Sequence, residues 1–562
     1  MNKTLSSLIL FMLLFAWWSS LTIGLSSDEY FHHINGLVRY KFLISFGEIQ
    51  KFEFRNNEFY PGLYDTISYA LGQIVFLINK KFYANNIDVV MHFVNISFST
   101  LSILGLYLLT QKLFNKKIAL ITTLLTLLNP FFFGHMGMNS KDIIVFFAFI
   151  WSCYYFYLYC TEDNNLSKNL IFFSLFFGFG CGVRLTFVVV IFPVIIAGLY
   201  FLLRKYRTDY SYIIKRLFLH IPIVFIISVF LIILCWPHIM VEINKGEFFE
   251  FISLVVKNTI NWNDGPKIGL LNGNFYEVFN TPKSYFLTII IHRLPFYFSL
   301  LVVVSYFLFF IKKLNQNQEI QNFNQKFILI NLIAFFPILL ALILGVNIYD
   351  NLRLFLFIIP LFCIIASFSL NNFLFTLKVS NISKISLMAL LFLFSLSFYR
   401  FILLTPYQYT YVNYSYPIYS KSVDKFEQDY WGTSYKELVN NLKEKYSKEE
   451  IQEFKIADCF GGDSTLLYYL NKNFGVKSLY NIDERPLRAT HIALTNRAFL
   501  NVINNPSVKG LVNEKGHMLL SDMEEVVRSP NVKTTCFTEY SGKDEVIVSR
   551  NGAPFSILRK LD

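Results

Sequence analysis

Long apolar runs recur along the first 403 residues and alternate with short polar stretches. A run of about 20 apolar residues is long enough to cross a bilayer as a helix. The fifth and sixth runs form one continuous stretch, which we divide at residues 180–184 because two Gly and an Arg suit a tight hairpin. The pattern therefore predicts a polytopic α-helical membrane protein with about 11 transmembrane helices. The predicted spans lie at 5–25, 88–110, 117–134, 142–160, 168–182, 184–203, 218–240, 284–311, 327–346, 353–371 and 384–403.

The basic residues between these runs predict the orientation of the chain. Loops on one side are rich in Lys and Arg, whereas the short loops on the other side hold one basic residue each, Lys141, Arg184 and Arg353. Basic residues concentrate in cytoplasmic loops. We therefore expect a cytoplasmic N-terminus, with the segments 26–87 and 241–283 on the outer face. The basic residues of the inner loops are Lys112, Lys116, Lys117, Arg204, Lys205, Arg207, Lys215, Arg216, Lys312, Lys313, Lys326, Lys378 and Lys384.

A further apolar run at 63–79 does not fit this count. If it crossed the membrane, every Lys-rich loop after it would lie outside. We therefore predict an apolar helix that lies at the outer surface. The first run is long for a signal peptide and lacks a clear small-x-small cleavage site, which favours a retained first span.

From residue 404 onward the composition becomes that of an ordinary soluble domain. Helices are predicted at 434–445 and 464–473, and strands at 454–460, 489–494 and 545–549. The chain is thus divided into a transmembrane domain, 1–403, and a small C-terminal α/β domain, 404–562, on the outer side. The Tyr-rich stretch 407–419 is interpreted as an aromatic belt where the last span leaves the bilayer. Cys459 and Cys536 form a disulfide if this domain lies outside the cytosol, and two free thiols are the alternative.

Composition supports a membrane protein and argues against a nucleic-acid partner. Of the 562 residues, 54% are hydrophobic and only 16% are charged, which is too little charge to cover a soluble protein of this length. The net charge of +12 comes largely from the short loops between apolar runs, where basic residues set membrane orientation.

Polar side chains gather where the first span reaches the outer face. Asp28 and Glu29 are followed by His32 and His33. Two carboxylates and two imidazoles make a candidate general base or a metal site. The alternative is a solvated helix end without chemistry.

Two other outer segments carry groups of the same kind. His135, Asn139, Lys141 and Asp142 precede the fourth span, where Asn139 or Ser140 can cap the helix that begins near Asp142. Tyr349, Asp350 and Arg353 precede the tenth span, and Arg184 and Arg293 also lie at outer ends. An Arg in this position either snorkels to headgroups or grips a lipid phosphate in bidentate fashion.

These groups share one side of the membrane, whereas the span interiors are nearly free of Asp, Glu, Lys and Arg. An enzyme that uses a lipid-phosphate substrate needs acids and cations at one surface. A transporter or flippase of a lipid-linked sugar, which is the alternative function, places charges at mid-span. The distribution favours surface chemistry.

Four motifs in order carry a resemblance to a known family: Asp28-Glu29, Gly134-His-x-x-x-Asn139-x-Lys141-Asp142, Tyr349-Asp350-x-x-Arg353-x-x-x-Phe357-x-x-Pro360, and Pro406-Tyr407-Gln408-Tyr409-x-Tyr411-x-Asn413 with Phe426-Glu427-x-Asp429-Tyr430-Trp431-Gly432. Over residues 1–435 the chain resembles the glycosyltransferase C superfamily, in its dolichyl-phosphate-mannose protein mannosyltransferase-like branch with bacterial members. Leu354 and Thr405 depart from the pattern, since relatives often carry His at those two places.

The resemblance implies a glycosyltransferase C fold in a bacterial inner membrane, with the C-terminal domain in the periplasm. It implies transfer of a sugar from a polyprenyl-phosphate donor to a protein, lipid or glycan acceptor, with inversion at the anomeric carbon. Asp28 is then the general base, Glu29 the reserve candidate and Asp142 the second acid. The candidate ligands of the donor phosphate are then Lys141, Arg184, Arg293 and Arg353. No cofactor is required for this chemistry, although a divalent metal ion is compatible with it.

Overall fold

The computed structural model describes residues 2–51, 57–260, 266–312, 318–375, 381–459, 463–480, 482, 488–500, 527 and 532–562. The predicted outer segments 26–87 and 241–283 therefore each include a few residues outside the described ranges. The helices are α1 (Asn2–Thr22), α2 (Ser27–Ile44), α3 (Leu63–Ile78), α4 (Lys80–Asn85), α5 (Ile87–Leu113), α6 (Lys116–Leu127), α7 (Pro130–His135), α8 (Asp142–Thr161), α9 (Leu166–Val183), α10 (Phe187–Lys205), α11 (Tyr210–Leu234), α12 (Pro237–Lys245), α13 (Phe248–Ile260), α14 (Tyr285–Arg293), α15 (Phe296–Lys312), α16 (Gln318–Leu344), α17 (Ile359–Phe375), α18 (Asn381–Leu403), α19 (Tyr435–Lys445), α20 (Lys448–Glu453), α21 (Asp463–Phe474) and α22 (Cys536–Glu539).

Nine helices within these ranges are long and apolar enough to cross a membrane, and the chain is a polytopic helical membrane protein. The helices α14 and α15 add a tenth span if they are counted together across a bend of 115°. The predicted run 117–134 folds instead as α6, of 12 residues, and the short α7. A 12-residue helix rises about 18 Å, which is less than the hydrocarbon core of a bilayer. The break follows from Asn129 and Pro130, since the Asn129 side chain caps α7 and Pro130 begins it.

The ambiguous run at 63–79 folds as α3, which packs one end against the bundle and leaves the other end open. Leu63 and Tyr64 are buried, whereas Leu77 and Ile78 are 83% and 81% exposed. Such a helix fits the predicted position at the outer membrane surface, which stays a prediction. The predicted hairpin between the fifth and sixth spans is confirmed, since α9 ends at Val183 and α10 begins at Phe187.

The C-terminal region holds a four-stranded sheet in the order β3 (Ile456–Asp458), β4 (His491–Thr495), β8 (Ala553–Lys560) and β7 (Lys543–Arg550). β3 and β4 pair in parallel, Ala457 opposite Ile492, and the other two pairs are antiparallel. These strands and α19 and α21 confirm the elements that the sequence predicts there, and a disulfide joins Cys459 to Cys536. The strands are β1 (Ile268–Leu271), β2 (Asn274–Glu277), β3 (Ile456–Asp458), β4 (His491–Thr495), β5 (Ala498–Leu500), β6 (Lys533–Thr535), β7 (Lys543–Arg550) and β8 (Ala553–Lys560).

The segment between α18 and α19 does not form an aromatic belt, so that interpretation of the Tyr-rich stretch is wrong. Five of its seven tyrosines are buried inside the protein, and Tyr407, for example, donates to Glu437. Arg293 of α14 and Arg400 of α18 hold the segment by donating to its main-chain carbonyls. The buried tyrosines of the segment are Tyr407, Tyr409, Tyr411, Tyr419 and Tyr430.

Candidate active site

Three distant parts of the chain meet at one end of the bundle. The start of α2 brings Asp28, the start of α8 brings Asp142, and the turn before α17 brings Asp350 and Arg353. The guanidinium of Arg353 contacts all three carboxylates, at 2.8 Å from Asp28, 3.7 Å from Asp142 and 3.0 Å from Asp350. We call these four residues the Arg353 cluster.

Asp28 lies in the first turn of α2, where the local sequence fixes its position. Ser26 and Glu29 form a capping box, and the main-chain N–H of Ser27 donates to the carbonyl of Trp431. The side chain of Asp28 is 40% exposed, whereas those of Asp142 and Asp350 are 3% and 2% exposed. Asp28 is therefore the carboxylate of the cluster that a substrate in solution can reach.

Partial burial and charge act in opposite directions on the Asp28 carboxyl. Loss of solvent raises its pKa, but the positive charges of Arg353, His32 and Lys141, together with the hydrogen bond from Arg353, outweigh that effect. The pKa of Asp28 is therefore held below its usual value, and the group is ionised at neutral pH.

Asp142 is held by the side chain of Asn139, although the cap position of α8 is taken by Lys141 and not by either predicted residue, Asn139 or Ser140. The Asn139 side-chain oxygen accepts from the main-chain N–H of Asp142 at 2.8 Å, and its amide donates to the Asp142 carboxylate at 3.2 Å. Arg184, at the end of α9, lies 3.2 Å from the other carboxylate oxygen and is 24% exposed. Asp142 thus forms ion pairs with both Arg184 and Arg353, which come from distant parts of the chain.

Arg353 is positioned by a tight turn and by two aromatic rings. Asp350 and Asn351 adopt φ of +55° and +64°, a left-handed backbone that reverses the chain just before Arg353. The guanidinium lies 4.9 Å from the ring centre of Trp431 and 5.1 Å from that of Tyr349. Both distances suit a cation–π contact, which adds to the ion pairs that hold the guanidinium.

Lys141 supplies a second cation beside the cluster. Its ammonium lies 3.7 Å from the ring centre of Tyr60, and the side chain is half-buried. Burial and the charge of Arg184 lower the pKa of Lys141 to about 7, against the opposing effect of Asp142, Asp28 and Asp65. Lys141 therefore changes charge near neutral pH.

Glu29, the reserve base of the sequence analysis, faces away from the cluster. It is fully buried and accepts from the main-chain N–H of Ser26 at 2.8 Å and from Asn95 at 3.1 Å, with His92 Nε2 at 3.0 Å. A substrate cannot reach this carboxylate, so the geometry assigns Glu29 to holding α2 against α5.

The two histidines after Asp28 also diverge. His32 Nδ1 lies 3.0 Å from Asp65, and His33 packs against the rings of Tyr69 and Tyr83. Among the described residues, no group of three or more His, Cys, Asp or Glu is placed to hold a metal ion. The four side chains that suggested a metal centre thus point to four different neighbours.

Two further sequence candidates lie outside the cluster. Arg293, predicted to bind the donor phosphate, is 1% exposed and donates to the carbonyls of Thr410, at 2.7 Å, and Glu427, at 2.7 Å. His135 is fully buried, with Nδ1 2.7 Å from the carbonyl of Phe131 and Nε2 3.0 Å from the Tyr430 hydroxyl. Both side chains hold buried segments together, which corrects the interpretation of Arg293 as a phosphate ligand.

The sequence analysis missed Arg497, which comes from the C-terminal domain. Its Nη1 lies 2.6 Å from Asp350 Oδ1, and its Nε lies 3.5 Å from Glu427 Oε1. Burial raises the pKa of Glu427 to about 7, although the charge of Arg497 opposes that rise. No sequence motif includes Arg497. It follows the short strand β4, far along the chain from the outer loops that carry the other site residues.

Residues 74–238 match the family model of dolichyl-phosphate-mannose-protein mannosyltransferases. The matched segment includes Lys141, Asp142 and Arg184 of the site. Over this segment the chain is similar to that family, which supports the resemblance to the mannosyltransferase-like branch of the glycosyltransferase C superfamily. No curated protein matches the chain in sequence.

Solved structures of two proteins follow a similar path. The apo form of ArnT from Cupriavidus metallidurans is 12% identical, with 99% of this chain and 98% of that chain covered and a TM-score of 0.49. The same protein bound to undecaprenyl phosphate is also 12% identical, with 98% of this chain and 97% of that chain covered and a TM-score of 0.47. A third structure is the archaeal oligosaccharyltransferase AglB from Archaeoglobus fulgidus, in complex with an inhibitory peptide and a dolichol-phosphate. It is 12% identical, with 86% of this chain and 69% of that chain covered and a TM-score of 0.43. All three TM-scores lie below 0.5.

Proposed function

We propose, from the premise that residues 74–238 match the mannosyltransferase family, that the chain transfers a sugar from a polyprenyl-phosphate donor to an acceptor at this face of the membrane. The observation that carries the proposal is the contact of the half-exposed Asp28 with Arg353. A carboxylate that acts as a base and cations that can hold a phosphate share one site at the end of the spans. The acceptor is a protein, a lipid or a glycan with a nucleophilic group.

The reaction needs only groups that the site contains. Asp28 takes the proton from the acceptor as the acceptor atom attacks the anomeric carbon from the face opposite the phosphate. The bond from that carbon to the phosphate oxygen breaks, and the polyprenyl phosphate leaves with the electron pair. Attack from the opposite face inverts the configuration of the sugar. The donor is lipid-linked, so the leaving group stays in the membrane and no nucleotide is required.

Arg184 and Lys141 suit the donor phosphate better than Arg353 does. Arg184 is 24% exposed, and Lys141 is half-buried beside Tyr60, so both can turn toward a headgroup. Arg353 already contacts three carboxylates. We therefore assign the donor phosphate to Arg184 and Lys141 and leave Arg353 with its three carboxylates.

The proposed location is the bacterial inner membrane, with the N-terminus in the cytoplasm and the C-terminal domain in the periplasm. The asymmetry of basic residues between the loops supports that orientation. The Cys459–Cys536 disulfide supports it as well, because disulfides persist in oxidising compartments. In this orientation the Arg353 cluster faces the periplasm. No cofactor is included in the proposal.

The proposal predicts that donor affinity falls as the pH rises through about 7, the pKa of Lys141. Lys141 binds phosphate in its protonated form, and the loss of one charge-assisted contact weakens binding by about 10- to 100-fold. The donor is best supplied as a polyprenyl-phosphate hexose, a phosphodiester whose own charge is constant over this range. Its dissociation constant for the full chain in detergent is measured between pH 5.5 and 8.5.

Two variants make this measurement specific. Lys141→Arg keeps its charge over the whole range and is expected to abolish the pH dependence. Lys116→Arg, at the opposite end of the bundle, is expected to behave like wild type. An unchanged pH dependence in Lys141→Arg would remove Lys141 from the donor site, and no binding of any polyprenyl-phosphate sugar would contradict the proposed function.

A further inference from the structure

Arg497 extends from the C-terminal domain into the Arg353 cluster. It lies between β4 and β5 and is 12% exposed. Its Nη1 donates to Asp350 Oδ1 at 2.6 Å and to the carbonyl of Tyr430 at 3.0 Å. The cluster is therefore built from both parts of the chain.

Asp350 is shared between two arginines, with one oxygen for each. Oδ1 contacts Arg497, and Oδ2 lies 3.0 Å from Nη2 of Arg353. Nη1 of Arg353 then contacts Asp28. The order Arg497, Asp350, Arg353, Asp28 is a chain of alternating charges that runs from the C-terminal domain to the half-exposed carboxylate.

We propose that Arg497 is a positioning residue, through which the C-terminal domain fixes Arg353 and sets the basicity of Asp28. The inference rests on the proposed function, in which Asp28 is the base. With Arg497 in place, Asp350 offers one oxygen to Arg353, and the rest of that guanidinium faces Asp28. Without Arg497, both oxygens of Asp350 compete for Arg353, and the cluster loses one positive charge.

The fold holds the backbone of Arg497 at several points. The carbonyl of Arg497 accepts from the main-chain N–H of Cys536 at 3.1 Å, and the disulfide joins Cys536 to Cys459, the residue directly after β3. The next residue, Ala498, donates its N–H to Glu427 at 3.0 Å and pairs with Thr535. The disulfide and the β5–β6 pair therefore fix the position from which the guanidinium reaches Asp350.

The test compares Arg497→Met and Arg497→Lys with wild type in the full-length chain. Lys445→Met is the control, since it removes one positive charge from an exposed ion pair with Glu545 in the same domain. We expect kcat to fall by about 10- to 100-fold in Arg497→Met, the scale of a small displacement of reacting groups, and less in Arg497→Lys. Lys445→Met is expected to match wild type.

The pH dependence of kcat shows whether Arg497 positions Arg353 or only docks the C-terminal domain onto the membrane domain. Asp28 is faced by Arg353, Lys141 and His32, and Arg497 is faced by Asp350, Glu427 and Arg353. Removal of a positive charge raises the pKa of the base, so the acid limb of the kcat profile moves to higher pH in Arg497→Met. Glu427 titrates near pH 7, so the same shift is measured again in a Glu427→Gln background.

The outcomes are distinct. A shifted acid limb in both backgrounds supports the positioning role. If Arg497→Met is less stable but the acid limb of the kcat profile of its folded fraction does not move, Arg497 only docks the domain. That result overturns the inference, while the proposed function stands. If wild type itself transfers no sugar from a lipid-linked donor, the proposed function fails and this inference fails with it.

A separate observation concerns the opposite end of the bundle. A cavity of about 530 Å³ lies there between the ends of α5, α6, α15, α16 and α17. Its described walls combine phenylalanines, among them Phe114, Phe309 and Phe368, with polar groups that include Asn115, Asn371 and Lys326. A volume of this size is typical of a ligand site.

The polar groups of this cavity define the chemistry of an occupant. The ammonium of Lys326 is the one charge among the described lining residues, and it donates to the carbonyl of Leu113 at 2.6 Å. The side-chain oxygen of Asn371 is buried without a hydrogen-bond partner. A phosphate satisfies the ammonium, a hydroxyl satisfies the amide oxygen, and an acyl chain fits the phenylalanines. We infer that the cavity binds an inner-leaflet phospholipid with an anionic phosphate and a hydroxyl-bearing headgroup.

The test uses phosphatidylglycerol as the probe. We expect it to raise the melting temperature of the full-length chain in detergent more than phosphatidylcholine does, and Lys326→Gln to remove the difference. Lys112→Gln, which breaks an exposed pair with Glu162 at the same face, is the control and is expected to keep it. Equal protection of wild type and Lys326→Gln, or equal protection by free glycerol phosphate, would overturn the lipid site.

Discussion

Asp28→Asn is expected to lower the rate of sugar transfer by about 100- to 10,000-fold, the contribution of a general base, while donor binding stays within about twofold of wild type. The amide keeps the size of the side chain but cannot accept the acceptor proton. Asp28 is the right residue for this experiment because it is the exposed carboxylate of the Arg353 cluster. Transfer and donor binding are measured on the same purified protein.

The control for Asp28→Asn is Asp163→Asn, the same change at an exposed carboxylate that pairs with Lys205 at the other end of the bundle. It is expected to leave transfer unchanged. Equal activity of Asp28→Asn and wild type would remove Asp28 from the mechanism. Asp142 would then be the next residue to test, since it belongs to the Arg353 cluster, whereas Glu29 faces away from it toward His92.

The second large effect is expected for Arg353→Met, which leaves three carboxylates without their shared cation. Asp142 and Asp350 are buried, and removal of one partner from a buried ion pair costs about 3–5 kcal/mol. We expect a lower melting temperature and loss of transfer by at least about 100-fold. Arg353→Lys is expected to recover little activity, because one ammonium cannot meet three carboxylates in the geometry of a guanidinium.

Arg400→Met separates the stability effect of Arg353→Met from its effect on the reaction. Arg400 is as deeply buried as Arg353 but donates to main-chain carbonyls, among them those of Val412 and Asn413. We expect Arg400→Met to lower the melting temperature and to keep the acid limb of the pH profile. In Arg353→Met the residual activity should need a higher pH, because the pKa of Asp28 rises once its cation is gone. Identical pH profiles for the two variants would contradict the role of Arg353.

The sequence predicts which end of the membrane domain carries the site, because basic loops define the sides and polar residues cluster at one of them. It does not predict which way each side chain points. Asp28 and Glu29 are neighbours in sequence, but consecutive residues are about 100° apart around a helix. One carboxylate therefore faces Arg353 and the other faces His92.

Arg293 and Arg353 could not be told apart from the sequence for a related reason. Each is a basic residue at the outer end of an apolar run. Their partners decide the difference: Arg293 meets the carbonyls of the segment after α18, and Arg353 meets carboxylates from α2 and α8. Those contacts join positions more than 100 residues apart along the chain.

The run 117–134 shows a limit of hydrophobic length as a signal for spans. Its composition suits a transmembrane helix, but the Asn129-Pro130 pair ends α6 and begins α7. A Pro disfavours helical backbone in the residue before it, so local chemistry overrides length at that point.

The most direct test of the account is transfer itself. The full-length chain is purified in detergent, supplied with radiolabelled polyprenyl-phosphate hexoses and offered a membrane extract as the pool of acceptors. The account predicts that wild type moves label from one of these donors to an extractable acceptor, and that Asp28→Asn does not although it binds the donor. Absence of transfer from every lipid-linked donor, with the donor still bound and moved across vesicles, would contradict the account and favour a transporter of lipid-linked sugars.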